Sequence, residues 1–395
     1  MRWHETDQGA ATTSAAGRMR ALLRDVAAPR GLEPIALHLG ESALITAHHG
    51  EELDADPQRW ARYPRPGGTP ELRAAYLGWL ARRFGVDGHG LAVEPTPGSK
   101  QAMSVAIMRA VGRTPGRPVI LPNPLYPAYT HSCVFAGADQ VFYRPGQGGE
   151  AIAEAVRACG RAAAVVVCNP GNPRGEVLGR EELIEIAGAA AEADAVLIVD
   201  ECYADLVVTG GSPSLLQLGA GLAGQQYLVA HTLSKRSAMP GLRSGFVAGD
   251  PETVADYARF NRLCGVSSAD PVNELAARLW SDDAHVELGR TVLRGNWDAA
   301  DDVLGHLPGY QRPRAGMFLW LPVDDDEDFV RAAWGRQALT VMPGRYLACT
   351  EPDGTNPGAG YARIGLVHRG ALMRDALRRL ARAFDHDTNR IPTCR

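Results

Sequence analysis

Lysine is nearly absent from this chain: of its 41 lysine and arginine residues, only Lys100 and Lys235 are lysine. Cysteine is sparse and unpatterned. The seven, Cys133, Cys159, Cys168, Cys202, Cys264, Cys349 and Cys394, are odd in number and form no CxxC pair. That excludes a zinc ribbon or a disulfide framework and fits a reducing cytoplasm. The longest apolar run, Ala162–Cys168, falls far short of the roughly 20 residues that span a bilayer. Met1 to Gly17 lacks the apolar core of a secretory leader, so none is expected. No sign of charge dominates: 41 basic residues meet 45 acidic ones for a net charge of −4. Without a basic stripe, nucleic acid is not an expected partner. His48 and His49 have no metal-ligand partners in sequence, and no metal site is expected.

What is present is ordinary for a globular protein, with 45% hydrophobic and 22% charged residues. A chain of 395 residues is long enough for two domains, or one large domain and a smaller one. The scarcity of lysine then turns attention to where it was kept. Arginine cannot be deprotonated in a protein and cannot supply a nucleophilic amine. Lys235 stands in the run from His231 to Gly245, with hydroxyls at Thr232 and Ser234 and a guanidinium at Arg243. An amine that forms a Schiff base, beside hydroxyls and an arginine suited to a phosphate, is what pyridoxal phosphate (PLP) needs. For Lys100, composition alone leaves a chance survivor and a chemical role equally open.

Taken in order, the chain reads as a flexible arm over residues 1–30 leading into a helix around Arg18–Val26, then a short strand at Ile35–Gly40. Thr69, Pro70 and Glu71 open a helix with a hydroxyl cap, a first-turn proline and an early acid. Leu72, Tyr76, Trp79, Leu80 and Phe84 share one face of it and are core. Gly98, Ser99 and Lys100 form a turn into another helix, a weak signal for a phosphate held on free N–H groups. Strands are expected at Val119–Leu121, Gln140–Tyr143, Ala164–Cys168, Val196–Val199, Tyr227–His231 and Gly245–Ala248, with amphipathic helices between several of them. Apolar runs without alternation imply strands buried on both faces, hence an α/β fold with a mostly parallel central sheet. Ala255–Trp280 reads as one or two long helices. From about Val292 a smaller α+β unit follows: a helix, apolar stretches at Met317–Leu321, Phe329–Trp334, Leu339–Val341 and Tyr361–Val367, and a closing helix near Ala371–Phe384. Asp324–Asp328 is expected to be a solvated acidic turn.

Several residues suit the same chemistry. Asp200 ends an apolar strand, where it either holds a pyridinium nitrogen protonated or caps the next turn. Asn172, in the rigid loop Asn169–Gly175, has an amide for a phenolate oxygen, and Tyr203 is placed to share that task. Tyr126 offers a face for stacking, or is a packed loop tyrosine. Arg363 is a lone cation in an apolar strand and needs an anion, either a substrate carboxylate or a structural partner. Asn172, Asp200 and Lys235 all fall at or just after strand carboxyl ends, where open α/β sheets bind ligands.

In order and spacing, Asn172, Asp200, Tyr203, Lys235, Arg243 and Arg363 resemble the fold-type I PLP enzymes, and within them the class I/II aminotransferases, from about Glu33 to Asp385. The resemblance extends to Gly98-Ser99-Lys100 as the phosphate-binding turn, Thr232 as a phosphate-binding hydroxyl and Tyr126 as the stacking aromatic. It implies that Tyr63 reaches the phosphate of a neighbouring subunit, that Gly40 lies beside the substrate carboxylate, and that the protein is a homodimer with shared sites. It implies transfer of an amino group between an amino acid and a 2-oxo acid, both small molecules. Ser234–Ser237 continuing through Pro240–Asp250, Trp280–Val286 and Asn356–Gly360 are similar to N-succinyldiaminopimelate aminotransferases, with 2-oxoglutarate the implied acceptor; a related amino acid of specialised metabolism is the other expectation. Arg174, Arg345 and the segment Asn261–Gly265 depart from that pattern; the two arginines either serve a different substrate side chain or sit at the surface. Two other readings stay open. One is a different PLP reaction on the same fold, β-elimination, decarboxylation or oxidative deamination. The other is a non-catalytic PLP-binding sensor, although no helix-turn-helix precedes the domain. The expected division is an N-terminal arm and part of the small domain over 1–46, a large PLP-binding domain over 47–290 and a small C-terminal domain over 291–395.

Overall fold

The valine-rich stretches pair as strands buried on both faces. In the computed structural model, which describes residues 13–45, 56–207 and 209–388 with side chains to Phe384, the short strand β1 (Ile35–Ala36) comes first. Next come β2 (Ala92–Thr96), β3 (Val119–Pro122), β4 (Gln140–Tyr143), β5 (Ala164–Cys168), β6 (Val196–Asp200), β7 (Tyr227–Thr232) and β8 (Gly245–Gly249). They form one sheet in the order β2-β8-β7-β6-β5-β3-β4. The strands from β3 to β7 pair in parallel, and β8 runs antiparallel to both β7 and β2. The expectation of a mostly parallel α/β sheet is met. The edge strand β2 is not predicted, because Glu94 and Pro95 interrupt its apolar pattern. An edge tolerates the proline, and Glu94, 4% exposed, is neutralised by Arg73 at 2.7 Å and Arg262 at 3.3 Å.

The helix Pro70–Phe84 shows why these segments fold locally as they do. The Thr69 hydroxyl accepts from the Leu72 amide at 3.2 Å, and Gly85 ends the helix in the left-handed region at φ 68°. Its expected face, Leu72, Tyr76, Trp79, Leu80 and Phe84, is buried in the core on one side of the sheet. Burial of each large side chain is worth about 1.5–3 kcal/mol.

A second group of strands follows: β9 (Phe318–Pro322), β10 (Leu339–Thr340), β11 (Met342–Pro343) and β12 (Tyr361–Gly365). β12 lies between β11 and β9, antiparallel to both, while β10 pairs in parallel with β1. Met19, Leu37 and Leu44 therefore share a core with Trp297, Phe329 and Leu377. The helix expected near Arg18–Val26 spans Ala15–Leu22, and Ala255–Trp280 resolves into Pro251–Leu263 and Asp270–Ser281.

One expectation is corrected. Phe329–Trp334 lies in the helix Asp326–Gln337, and the acidic run at its start is not a solvated turn. Asp325 caps that helix, accepting from the Glu327 and Asp328 amides at 2.9 Å, and Asp326 is wholly buried. Arg345 is the reason: its Nε donates to Asp326 at 2.7 Å and Nη2 to Asp325 at 2.7 Å. A pairing across 19 positions leaves no local trace in sequence. The 46/47 boundary, His48, His49 and Cys394 lie outside the described residues. Among those described, no helix is long and apolar enough to cross a membrane.

The parallel register sets the edge that matters. Cys168 is level with Asp200, and Asp200 with Ala230. The loop after β5, the turn after β6 and the short helix after β7 therefore emerge side by side.

Candidate active site

Lys235 sits on the one-turn helix Leu233–Arg236, directly after β7. Thr232 ends the strand in an extended conformation, and its hydroxyl accepts from the Ser234 amide at 3.1 Å while donating to the Ser244 carbonyl at 3.2 Å. This cap turns the chain sharply and points Lys235 across the sheet edge. The Lys235 amine donates to the Gly40 carbonyl at 2.7 Å and lies 5.8 Å from the centre of the Tyr203 ring. Burial pulls its pKa below that of a free lysine, and the Arg363 cation pulls the same way, against Cys202, Asp200 and Glu41. Both effects favour the uncharged, nucleophilic amine.

Asp200, 2% exposed, closes β6. The Tyr129 hydroxyl donates to its Oδ2 at 2.7 Å and the Cys202 amide to its Oδ1 at 3.1 Å. Burial raises its pKa, and these two bonds oppose the rise. Tyr126 packs edge-to-face on Tyr129 at 5.7 Å, and burial pushes its phenol up to about 12.

Arg363, 6% exposed on β12, is the cation that expectation left without an assigned partner. Its Nη1 donates to Asn172 Oδ1 at 3.1 Å and its Nη2 to the His38 carbonyl at 2.8 Å. The guanidinium lies 4.1 Å from the centre of the Phe318 ring, and its Nε has no hydrogen-bond partner among the described residues. Burial lowers its pKa to about 10. These hydrogen-bond partners are neutral, so a buried positive charge awaits an anion.

At the other end of the cavity, the helix Ser99–Arg113 begins without a side-chain cap, leaving first-turn N–H groups free for an anion. Its N-cap, Gly98, has φ 101°, a conformation that favours glycine, and a Cβ there would push against the Arg243 guanidinium at 2.8 Å. Arg243 donates to the Pro240 carbonyl at 2.9 Å and to the Pro97 carbonyl, which holds its guanidinium beside that helix start.

One cavity of about 490 Å³ gathers these groups. On its wall are Gly40, Ser99, Lys100, Tyr126, Asn172, Asp200, Tyr203, Ser234, Lys235, Arg243 and Arg363. Three sequence-predicted residues are not there. Gly98 lies behind Arg243, the Thr232 hydroxyl is spent on the Lys235 turn, and the Tyr63 side chain is fully exposed. Sequence reasoning missed Tyr129, Phe318, Cys168 and Cys202, all on the wall. Tyr129 carried a signal, three residues after Tyr126 where a helix begins. Phe318 carried none: it neighbours Arg363 only because β9 pairs Trp320 with Arg363. Arg345 and Arg174 are not on this wall.

Residues 38–380 match the family described as Aminotransferase class I and II. The chain is 32% identical over 306 residues to 4-dedimethylamino-4-oxo-anhydrotetracycline transaminase OxyQ of Streptomyces rimosus, covering 75% of this chain and 80% of that one. It is 28% identical over 380 residues to LL-diaminopimelate aminotransferase of Desulforudis audaxviator, covering 92% and 93%. The solved N-succinyldiaminopimelate aminotransferase of Mycobacterium tuberculosis superimposes with a TM-score of 0.78 at 25% identity, over 96% of this chain and all of that one. With its mostly parallel sheet, its lysine at a strand's carboxyl end and a match along most of its length, this chain belongs to the class I and II aminotransferases, on the fold-type I scaffold.

Proposed function

We propose that the protein is a PLP-dependent aminotransferase of the cytoplasm that moves an amino group between an amino acid and a 2-oxo acid, working as a homodimer. One observation carries the reading: a buried arginine with neutral partners shares a cavity with a lysine whose amine burial drives toward its uncharged form. The donor set fits PLP. A nucleophilic amine suits its aldehyde, an uncapped helix start beside a guanidinium suits its phosphate, and a buried carboxylate suits its ring nitrogen. When bound, PLP supplies an aldehyde for amine capture and an electron-poor ring that draws charge from the substrate Cα.

The chain's own residues do the rest. With PLP bound, Lys235 Nζ would hold the aldehyde carbon and, once released, would serve as general base and then acid, carrying the proton from the substrate Cα to that former aldehyde carbon. Arg363 grips the substrate α-carboxylate with its forked N–H groups, and Asn172 steadies that fork at 3.1 Å. Gly40, without a side chain, leaves room for the carboxylate. Asp200 would hold a proton at the ring nitrogen, and the Tyr129 hydroxyl donates to its Oδ2 at 2.7 Å. Tyr126 stacks on the ring, while Asn172 and Tyr203 serve its phenolic oxygen. Ser99, Lys100, Ser234, Arg243 and the N–H groups after Gly98 hold the phosphate, with Thr232 shaping the turn that presents Ser234. Tyr63, fully exposed in its own chain, reaches the phosphate of the neighbouring subunit.

For the amino donor we propose N-succinyldiaminopimelate, or a related amino acid of specialised metabolism. The support is the naming of one solved relative for that compound and of another relative for a tetracycline precursor. Borohydride reduction of the PLP-loaded protein, followed by peptide mapping, is expected to fix the label on Lys235. A screen of amino donors is expected to convert the bound cofactor stoichiometrically to its amine form with the true donor. Label on another lysine, or no donor that converts the cofactor, would overturn the reading.

A further inference from the structure

Beneath the site lies a polar pair that the reaction above does not use. Glu201 follows Asp200, and His231 precedes Thr232. Strand alternation turns both away from the cavity, into a cluster of rings: Trp79 is 4.8 Å from the His231 ring centre, Phe246 5.0 Å and Phe84 6.2 Å. The two side chains are 1% and 2% exposed, and Glu201 Oε2 faces His231 Nε2 at 3.5 Å. Among the described residues, neither of these atoms has a hydrogen-bond partner elsewhere. The other carboxyl oxygen, Oε1, accepts from the Leu215 amide at 2.8 Å.

Two facing atoms buried among rings and left unsatisfied require a proton between them. The surrounding charges decide which group carries it. Asp200, one residue back, opposes ionisation of Glu201, while Arg83 from the helix Pro70–Phe84 favours it; the Leu215 amide and the Ser214 hydroxyl also favour it. Asp205 favours a charged His231 and Arg83 opposes it. Asp205 is itself neutralised by Arg236 at 2.9 Å and Arg290 at 2.8 Å. Burial outweighs all of these at both groups, pushing Glu201 up to about 8 and His231 down to about 3. The proton therefore rests on the carboxyl and points at a neutral imidazole.

We propose that Glu201 and His231 share one proton across this gap and, as a positioning pair beneath the active site, hold the strand ends that deliver Asp200 and Lys235 in mutual register. The inference rests on the functional reading above only for the roles of Asp200 and Lys235. The leverage is short. The Glu201 amide donates to the Ala230 carbonyl at 3.0 Å, and the residue after His231 is the Thr232 that caps the Lys235 turn. Losing the proton would leave a bare carboxylate in the core where the two strands end. A carboxyl whose folded pKa lies above its unfolded value stabilises the fold below the unfolded pKa, about 4.5, and loses that contribution as pH rises to about 8.

The test uses the PLP-loaded enzyme and the variant Glu201→Gln, whose amide still accepts from Leu215 and donates to His231 but cannot ionise. The parent is expected to show the infrared carbonyl stretch of a protonated carboxyl at pH 7, fading above about pH 8 and missing in Glu201→Gln. Over the same range the parent's kcat/KM should fall about tenfold per pH unit, while the variant keeps its activity to higher pH. Should Glu201→Gln not fold, His231→Gln replaces the acceptor nitrogen and should shift the same band in frequency. A parent without the band, a band unmoved by the folded variant, or pH profiles that run parallel in parent and Glu201→Gln would overturn the proposal. The band can be read without PLP, so a protein that has it and never binds PLP refutes the functional reading alone.

Discussion

The amine of Lys235 donates to the carbonyl of Gly40 at 2.7 Å, joining residues 195 positions apart. The same glycine has no space for a side chain: a Cβ would lie 2.6 Å from that amine and 3.1 Å from the Phe318 ring edge. Gly40→Ala should therefore displace Lys235 and Phe318, the latter being the ring beneath Arg363. Misplacement of this size costs about a hundredfold in rate. The expected outcome is a variant that still binds PLP, by its visible absorption, with kcat/KM lower by about that factor.

Arg363 gives a second prediction. Lysine keeps the charge but loses the fork that donates to Asn172 at 3.1 Å and to the His38 carbonyl at 2.8 Å. One charge-assisted bond to the substrate carboxylate is worth about 1.5–3 kcal/mol. Arg363→Lys should then raise KM for an amino acid by about ten- to a hundredfold. A simple monoamine, which has no carboxylate to grip, should react equally slowly with parent and variant. Steady-state kinetics on both donors check this; a parallel loss on both would place Arg363 in the framework instead.

How much of this was legible beforehand depends on the range of the interaction. The parallel strands announced themselves in runs such as Ala164–Cys168, because strands buried on both faces need nothing but apolar residues. Arg363 stood out as a lone cation in an apolar strand, Asp200 as the acid that ends one, and Lys235 as one of only two lysines, set between hydroxyls and an arginine. β2 stayed hidden because Glu94 reads as polar until Arg73, 21 residues back, neutralises it. Phe318 became visible only through the register of β9 on β12. The Glu201–His231 gap needs β6 beside β7 before it exists at all. Tyr63 is exposed along its whole side chain, so no contact within its own chain speaks to its role.

Tyr129 yields a prediction with a direction in pH. Its hydroxyl, 2.7 Å from Asp200 Oδ2, works against the burial that raises that carboxyl. Tyr129→Phe removes the opposition, so the Asp200 pKa rises further. Activity that needs the carboxylate should then fail at a higher pH as the medium is acidified. We expect the acid limb of kcat against pH to move upward by about one unit, as for the loss of about 1.4 kcal/mol, with KM little changed. A pH profile of the variant beside the parent decides it; an unmoved acid limb would mean that Tyr129 only fills space.

Arg345 separates stability from specificity. Sequence left it either a substrate contact or a surface residue, yet its guanidinium reaches Asp325, Asp326 and Glu327, and Asp326 is wholly buried. It lies off the wall of the Lys235 cavity. Arg345→Ala would strand the Asp326 carboxylate in the core beneath the helix Asp326–Gln337. Breaking a buried pair in this way costs about 3 kcal/mol or more. Thermal unfolding should show that loss as a drop in Tm, and the ranking of amino donors should stay that of the parent. The opposite result, an unchanged Tm with a changed donor ranking, would return Arg345 to the substrate.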